Sequence, residues 1–253
     1  KMTYECIKYE VRDGIGWITF NRPEVRNALS RQTWMELMQV LQDTYDDYTV
    51  RALVITGEGT AFSAGLDIKE MSTVGFQGLG EFLSIILDPI ELLQRYPKPV
   101  IAAVNGHAYA GGFELTLFCD LVIASDKAVF AFRENRRGLM SGLLIIRAHE
   151  YNMRYIKELT FTGRSIDAQE AYRMGLVNKV VPHDDLTKEV TELCEEIKLV
   201  APLSQKLTKE FLRRGIREIG ALWEPFNELF RSEDVIEGFE AWMEKRPAEW
   251  KGK

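Results

Sequence analysis

Val104 to Asp120 reads VNGHAYAGGFELTLFCD, and this stretch decides the fold: a strand, a glycine turn, then a helix whose first turn carries a carboxylate. Just upstream, Val100 to Val104 is a run of β-branched and small apolar residues after Pro97 and Pro99, the pattern of a buried strand. Asn105-Gly106 breaks it. After His107 to Ala110, Gly111-Gly112 lets backbone approach a ligand with no Cβ in the way, and Phe113 to Cys119 is predicted to continue as helix. A helix starting there directs unpaired N–H groups and the positive end of its dipole at whatever lies before Gly111. Developing negative charge is best placed at such a point. The same turn could serve packing alone, and the local pattern leaves that open. Phosphate-binding readings are weaker, because Gly106 to Gly111 lacks both the G-x-G-x-x-G spacing and the Lys-Ser/Thr of a phosphate loop. Glu114 would also repel a phosphate seated on that turn.

Working outward toward the N-terminus, Arg51 to Thr56 is a second buried-strand run. It is followed by the turn Gly57-Glu58-Gly59 and then the small-residue segment Ala61 to Asp67. Tyr4 to Val11 and Gly14 to Phe20 predict a hairpin, and Ser30 is a candidate N-cap for a helix to about Asp46, with Trp34, Leu37, Met38, Leu41 and Tyr45 on one face. Met71 to Gly80, with three glycines, reads as a mobile loop before a helix over Phe82 to Tyr96. Toward the C-terminus the pattern predicts strands at Leu121 to Ala124, Val129 to Phe132 and Val177 to Val181, and helices at Tyr155 to Phe161 and Ala168 to Met174. Strand, small-residue turn and helix thus recur, which suggests solenoid-like stacking of ββα units. From Asp184 the chain is helical only. Apolar positions such as Phe226, Leu229, Phe230, Phe239 and Trp242 exceed what isolated hairpins bury, so this tail is expected to pack on a body or a partner subunit.

Composition narrows the function classes. The chain has 253 residues, 46% of them hydrophobic and 28% charged, as in an ordinary globular protein able to bury a large core. A net charge of −6 argues against a general nucleic-acid binder. Cys6, Cys119 and Cys194 are odd in number and widely spaced, which fits a reducing compartment, and His107, His149 and His183 do not cluster with them, so no metal site is expected. With no run of 18 apolar residues, no membrane partner is expected and a cytoplasmic location is. Ser63, Ser141 and Cys119 lack a G-x-S-x-G elbow or an obvious His partner, which argues against covalent catalysis.

Ordered blocks along nearly the whole chain resemble the crotonase, or enoyl-CoA hydratase/isomerase, superfamily. They are Asn21-Arg22-Pro23 with Asn27-Ala28-Leu29, Ala61 to Met71, Lys98 to Gly106, Gly111 to Leu115 and Cys119-Asp120. Thr162-Gly163-Arg164, Ala171 with Gly175-Leu176-Val177, and Glu244-Lys245-Arg246 complete the set. The resemblance implies an α/β fold: a crotonase-like spiral of ββα turns over residues 1–183 holding an acyl-CoA site, and a C-terminal helical trimerisation layer over 184–253. It implies a homotrimer or dimer of trimers, an acyl-CoA thioester substrate, and no cofactor beyond the coenzyme A of that substrate.

The site residues follow from the same resemblance. The thioester carbonyl is expected between the backbone N–H groups of Leu66 and Gly111, and preorganised donors of this kind are worth about 3–4 kcal/mol each where charge develops on the oxygen. Glu114, and Glu134 twenty residues further on, match the two glutamates of the family's hydratases. Two carboxylates facing one water can divide acid and base roles if their surroundings separate their pKa values. Arg26 and Lys69 match positions near the adenine and phosphates of CoA, Ala28, Ala64, Asp67 and Ile68 match positions beside the substrate, and Lys245 is a candidate acting from a neighbouring subunit. Asp67 is also a candidate brace for its turn.

The sequence departs from the family around the second glutamate. Arg133 stands where proline is usual, Asn135-Arg136-Arg137 replaces apolar residues, and Ser141-Gly142-Leu143-Leu144 replaces a Pro-Gly-x-Gly-Gly turn. A reshaped acyl pocket is expected. The leading expectation is an enoyl-CoA hydratase-type lyase. A double-bond isomerase, hydrolysis or ring opening at the same carbonyl site is the alternative within enzymes, and an acyl-CoA-binding protein with little turnover is the alternative outside them. Glu134 as a surface residue paired with Arg133 or Arg137 is the competing local reading.

Overall fold

The chain enters through a hairpin because Asp13 and Gly14 both take positive φ, 50° and 76°, which closes a tight turn between β1 (Ile7–Arg12) and β2 (Ile15–Phe20). The structure, a computed structural model, describes residues 4–215 and 219–253. Ser30 then caps α1 (Arg31–Tyr45) by accepting the Thr33 N–H, a contact worth about 1 kcal/mol. From there the chain winds. β3 (Ala52–Gly57) and β4 (Ala61–Ser63) lead to α2 (Ile68–Met71) and α3 (Gly75–Arg95). β5 (Val100–Val104) and β6 (His107–Tyr109) lead to α4 (Gly111–Thr116), and β7 (Leu121–Ser125) and β8 (Val129–Ala131) lead to α5 (Gly142–Arg147) and α6 (Met153–Thr162). β9 (Ile166–Asp167), α7 (Ala168–Arg173) and β10 (Lys179–Val181) close the spiral.

After the β1–β2 hairpin, which lies wholly in one sheet, each turn of the spiral gives one strand to each of two sheets. One sheet has the order β1-β2-β3-β5-β7-β10, parallel from β2 onward, and the other the order β4-β6-β8-β9. This is the α/β spiral of ββα turns that the resemblance implies. Period-two alternation sorts the buried strands between two cores. Leu53, Ile55, Val100, Ala102 and Val104 face the main core with α1 and α3, while Ala52, Val54, Ile101 and Ala103 face a second core built with Leu186, Val190 and Cys194 of α8 (Leu186–Lys198). α8 therefore seals the far face of the large sheet. Beyond it α9 (Pro202–Arg214), α10 (Trp223–Phe230) and α11 (Glu233–Glu244) present large exposed side chains, with Trp223 at 72% and Trp242 at 81% exposure.

Two expectations need correction. The segment read as a mobile loop from Met71 to Gly80 is mostly helical, because α3 begins at Gly75. Its C-terminal part buries Phe82, Ile86, Ile90 and Leu93, and α3 packs along α1, so tertiary contact outweighs the low helix propensity of three glycines. The helix expected over Phe113 to Cys119 starts two residues earlier and ends at Thr116, where the Thr116 hydroxyl bonds back to the Phe113 carbonyl. β6 and β9 are strands too short to show in the pattern. Among the described residues no helix is long and apolar enough to cross a membrane.

Candidate active site

Two loops from different turns of the spiral bring Leu66 and Gly111 together. Asn27, 1% exposed, donates from Nδ2 to the carbonyls of Ala61 (2.7 Å) and Glu58 (3.0 Å), and accepts the Arg22 N–H at Oδ1 (2.9 Å). Ala64 N–H bonds to the Arg26 carbonyl, Leu29 N–H to the Gly65 carbonyl, and Asp67 N–H to the Leu29 carbonyl. Arg22 adds bonds to the Ala28 carbonyl (2.7 Å) and to Asp67 Oδ2 (3.0 Å). This ladder fixes the Ala64-Gly65-Leu66 backbone. Asn21-Arg22-Pro23 and Asn27-Ala28-Leu29 are thus supports for the turn, and Asp67 both caps α2 and pairs with Arg22, as a brace does.

Gly65 has φ 91°, and a Cβ there would lie 2.8 Å from the Tyr109 carbonyl oxygen and 3.1 Å from Gly111 N. Only glycine fits. A Cβ on Gly111 would stand 3.6 Å from Leu66 N, so the two amides line one small space. Among the described residues neither N–H donates to another protein group. Ala110, immediately before, is held at φ 50° and ψ −129°. Strain of that kind costs about 1–3 kcal/mol and tends to sit where geometry serves function.

Glu114 lies in the first turn of α4 with 5% exposure, and Glu134 follows β8 with 8%. Glu114 Oε1 accepts the Leu144 N–H at 3.0 Å, and Glu134 Oε2 accepts the Ser141 hydroxyl at 3.0 Å. Burial, and then the negative charge of Glu134, push the Glu114 carboxyl well above the ordinary carboxylate range. Burial also raises Glu134, against the opposing pull of its hydrogen bonds and of Arg137. Two buried carboxyls that act on one another in this way can divide the roles of proton donor and acceptor.

The surface reading of Glu134 does not fit, because the residue is buried; of its two expected partners, Arg137 bonds to the Arg133 carbonyl and reaches Glu134 through its charge alone. Arg133 turns to the Gly163 carbonyl (2.9 Å) and Ser165 Oγ (2.7 Å) and lies 5.4 Å over the Tyr109 ring, while exposed Arg136 bonds to the Thr162 carbonyl. These cations tie the 133–137 turn to the C-terminus of α6. Leu144 N–H and Ser141 Oγ are partners that sequence reasoning registered only as departures; a backbone donor leaves no residue-type signal.

Other expected residues lie apart from the pair. Arg26, φ 53°, and Lys69 are exposed cations whose side chains make no bond among the described residues, and Ile68 is exposed beside them. Ala28 and Ala64 are half-buried in the same loops. Lys245 ends α11 at φ 56°, exposed, with no bond to either glutamate. A cavity of about 760 Å³ lies elsewhere, between α9 and the segment around Phe118, Asp120 and Tyr151. It contains neither glutamate, so volume alone does not mark the chemistry. Among the described residues no group of three or more His, Cys, Asp or Glu side chains could hold a metal ion.

A ββα spiral with paired backbone donors beside two buried carboxyls defines a crotonase-type enzyme. Comparisons with known proteins agree. The family described as enoyl-CoA hydratase/isomerase matches residues 10–253, and the chain belongs to it. It is 37% identical to a Mycobacterium bovis protein named "Probable enoyl-CoA hydratase", covering 97% of each chain. The crystal structure of an enoyl-CoA hydratase from Bacillus anthracis superposes with TM-score 0.92 at 32% identity, covering 98% of this chain and all of that one. An enoyl-CoA hydratase subunit from Geobacillus kaustophilus gives TM-score 0.89 at 36% identity over 99% of both chains. The chain is thus an enoyl-CoA hydratase-like enzyme.

Proposed function

We propose that the protein adds water across the 2,3 double bond of an enoyl-CoA thioester, with Glu114 and Glu134 as the catalytic residues and the Leu66 and Gly111 N–H groups as the oxyanion hole. The observation that carries this reading is the burial of both carboxyls together, beside two amides that donate to no other described group. In the reaction the oxygen of water bonds to Cβ while one carboxylate takes the proton it releases. The π pair shifts toward the carbonyl, and the oxygen that gains charge rests on the two amides. The second carboxyl then gives its proton to Cα. Atoms and charge balance, and proton exchange between the glutamates resets the pair. The substrate supplies its own coenzyme A, and no further cofactor enters. Arg26 and Lys69, as free exposed cations near the Leu66 turn, suit the phosphates of CoA. Ala28, Ala64 and Ile68 would line its path.

Isomerisation is the second reading, and it would need only one of the two carboxyls. Incubating wild-type protein with short, branched and cyclic enoyl-CoA thioesters separates the two by product mass. A gain of one water supports hydration; an unchanged mass with a displaced double bond refutes it.

The exposed aromatic side chains of α10 and α11 support assembly as a homotrimer or dimer of trimers, with residues 184–253 as the layer between subunits. Lys245 would then reach a neighbouring site. Light scattering on a size-exclusion column checks this, and a monomer at micromolar concentration would contradict it.

A further inference from the structure

Helix α9 stands off the body of the protein. Of its 13 residues only Leu207 is buried, and polar contacts hold it in place. Lys209 Nζ donates to Asp120 Oδ2 (2.7 Å) and to the Lys98 carbonyl (3.1 Å), and Gln205 Nε2 donates to the Ile197 carbonyl (2.9 Å). Under the helix lies the cavity of about 760 Å³, with Phe118, Leu121, Tyr151 and Ile197 on its apolar wall. A second cavity, of about 630 Å³, opens on the other side of the same helix edge, and Gln94, Lys209 and Arg213 line both. Volumes of about 300–1,000 Å³ are usual for small-molecule sites. Four cations of this groove, Arg95, Arg147, Lys209 and Arg214, each pair with a neighbouring carboxylate, and these pairs use every Asp and Glu that lines it. Exposed Lys206 and Arg213 pair with no carboxylate among the described residues, so the groove carries excess positive charge on a chain of net charge −6. The half-buried side chains of Gln94 and Tyr151 likewise make no hydrogen bond among the described residues.

We propose that this groove binds an amphiphilic anion, its carbon body laid on the apolar wall under α9 and its carboxylate or phosphate held by Lys206 and Arg213. The two cations lie two helical turns apart on one face of α9, about 10 Å along its axis, within reach of a shared head group for side chains of this length. Both form charge-assisted hydrogen bonds to carboxylates and phosphates. Gln94 and Tyr151 add uncharged polar partners inside the groove. A neutral lipid would leave the two cations uncompensated, and a simple inorganic anion would leave the apolar wall uncovered. The groove is separate from the paired glutamates, since Glu114 lies in the first turn of α4 and Phe118 to Leu121 follow its last. The proposal therefore goes beyond the hydratase reading and does not rest on it.

The test is isothermal calorimetry of the full chain with decanoate, decyl phosphate, 1-decanol and inorganic phosphate. Decanoate or decyl phosphate should fill one site per chain with Kd below about 1 mM, the tighter of the two identifying the head group, and decanol and inorganic phosphate should bind at least about tenfold more weakly. Lys206→Gln combined with Arg213→Gln should weaken the amphiphile at least about tenfold. Thr208→Trp, at an exposed position of α9 that lines the larger cavity, should abolish binding by filling it. The glutamine variants, which touch no buried contact, give the reading if the tryptophan variant does not fold. Turnover of any accepted thioester should be unchanged in all of them. Absence of binding by both amphiphiles, equal binding of decanol, or unchanged affinity in the glutamine variants would overturn the proposal. Displacement of the bound probe by saturating coenzyme A would place it at the thioester site and overturn the proposal as well. An Arg213→Glu variant that changes the oligomeric state in light scattering, with no amphiphile bound by wild type, would assign the groove to a contact between copies of the chain instead.

Discussion

Glu114 and Glu134 are held in opposite ways. Glu114 is fixed from below: α4 is buried along its whole length, starting from a strained Ala110 and a Gly111 wedged against the Leu66 turn. Glu134 is fixed from outside, by a short turn whose arginines grip the end of α6 and by a serine from the segment that begins α5. α5 links the two arms, since Leu144 N–H reaches Glu114 and Arg147 Nε bonds to the Leu117 carbonyl at the end of α4. One carboxylate is thus held by the core helix that carries it, and the other, equally buried, by side chains of a turn that is itself tied to α6.

That contrast can be broken most severely at Gly65. Gly65→Ala forces a Cβ into the Tyr109 carbonyl and against Gly111 N, so it should separate the two donors and lower kcat/KM by about 100-fold or more, as loss of one oxyanion donor does. Steady-state kinetics with any accepted thioester reads this; activity within threefold of wild type would disprove the role given to that turn. On the outer arm the expected loss is smaller. Arg133→Ala removes the bonds to Gly163 and Ser165 and should lower kcat by about 10-fold, or about 1.4 kcal/mol, with little effect on Tm.

Stability should move in the other direction at Glu114. Its folded-state pKa is raised above an unfolded value of about 4.3, so the stability of the protonated form is complete below that pH and is lost as pH rises through the raised value. Glu114→Gln removes this loss. The variant should melt about 2–4 °C above wild type at pH 8 and close to it at pH 4, by scanning calorimetry. An equal difference at both pH values would contradict the burial account. Leu66→Ala should have the smallest effect, under about 5-fold in kcat, because in the proposed oxyanion hole that residue would contribute its backbone alone.

The same contrast governs what the sequence discloses. The inner arm is legible because its demands fall on residue types: Gly65 for its positive φ, Asn27 for three backbone bonds, Glu114 at a fixed place after two glycines. The outer arm is legible only in part. Glu134 stands at the expected spacing, yet its neighbours Arg133, Arg136 and Arg137 read as a solvated face, and only the fold reveals that Arg133 and Arg136 turn toward α6 while the carboxyl is buried. Leu144 contributes an N–H that every residue except proline carries, so no pattern announces it. The start of α3 was hidden for a different reason: glycines at 75, 78 and 80 mimic a loop, and the packing on α1 that sustains the helix is a contact over long sequence distance.

In the proposed reaction two buried carboxyls act on one water at a thioester held by Leu66 and Gly111. The most direct measurement is product mass, with a single accepted enoyl-CoA, for wild type, Glu114→Gln and Glu134→Gln side by side. Wild type should add one water, and each variant should do so at least about 100-fold more slowly, the span expected for general acid or base catalysis. A Glu134→Gln variant that hydrates as fast as wild type would contradict it.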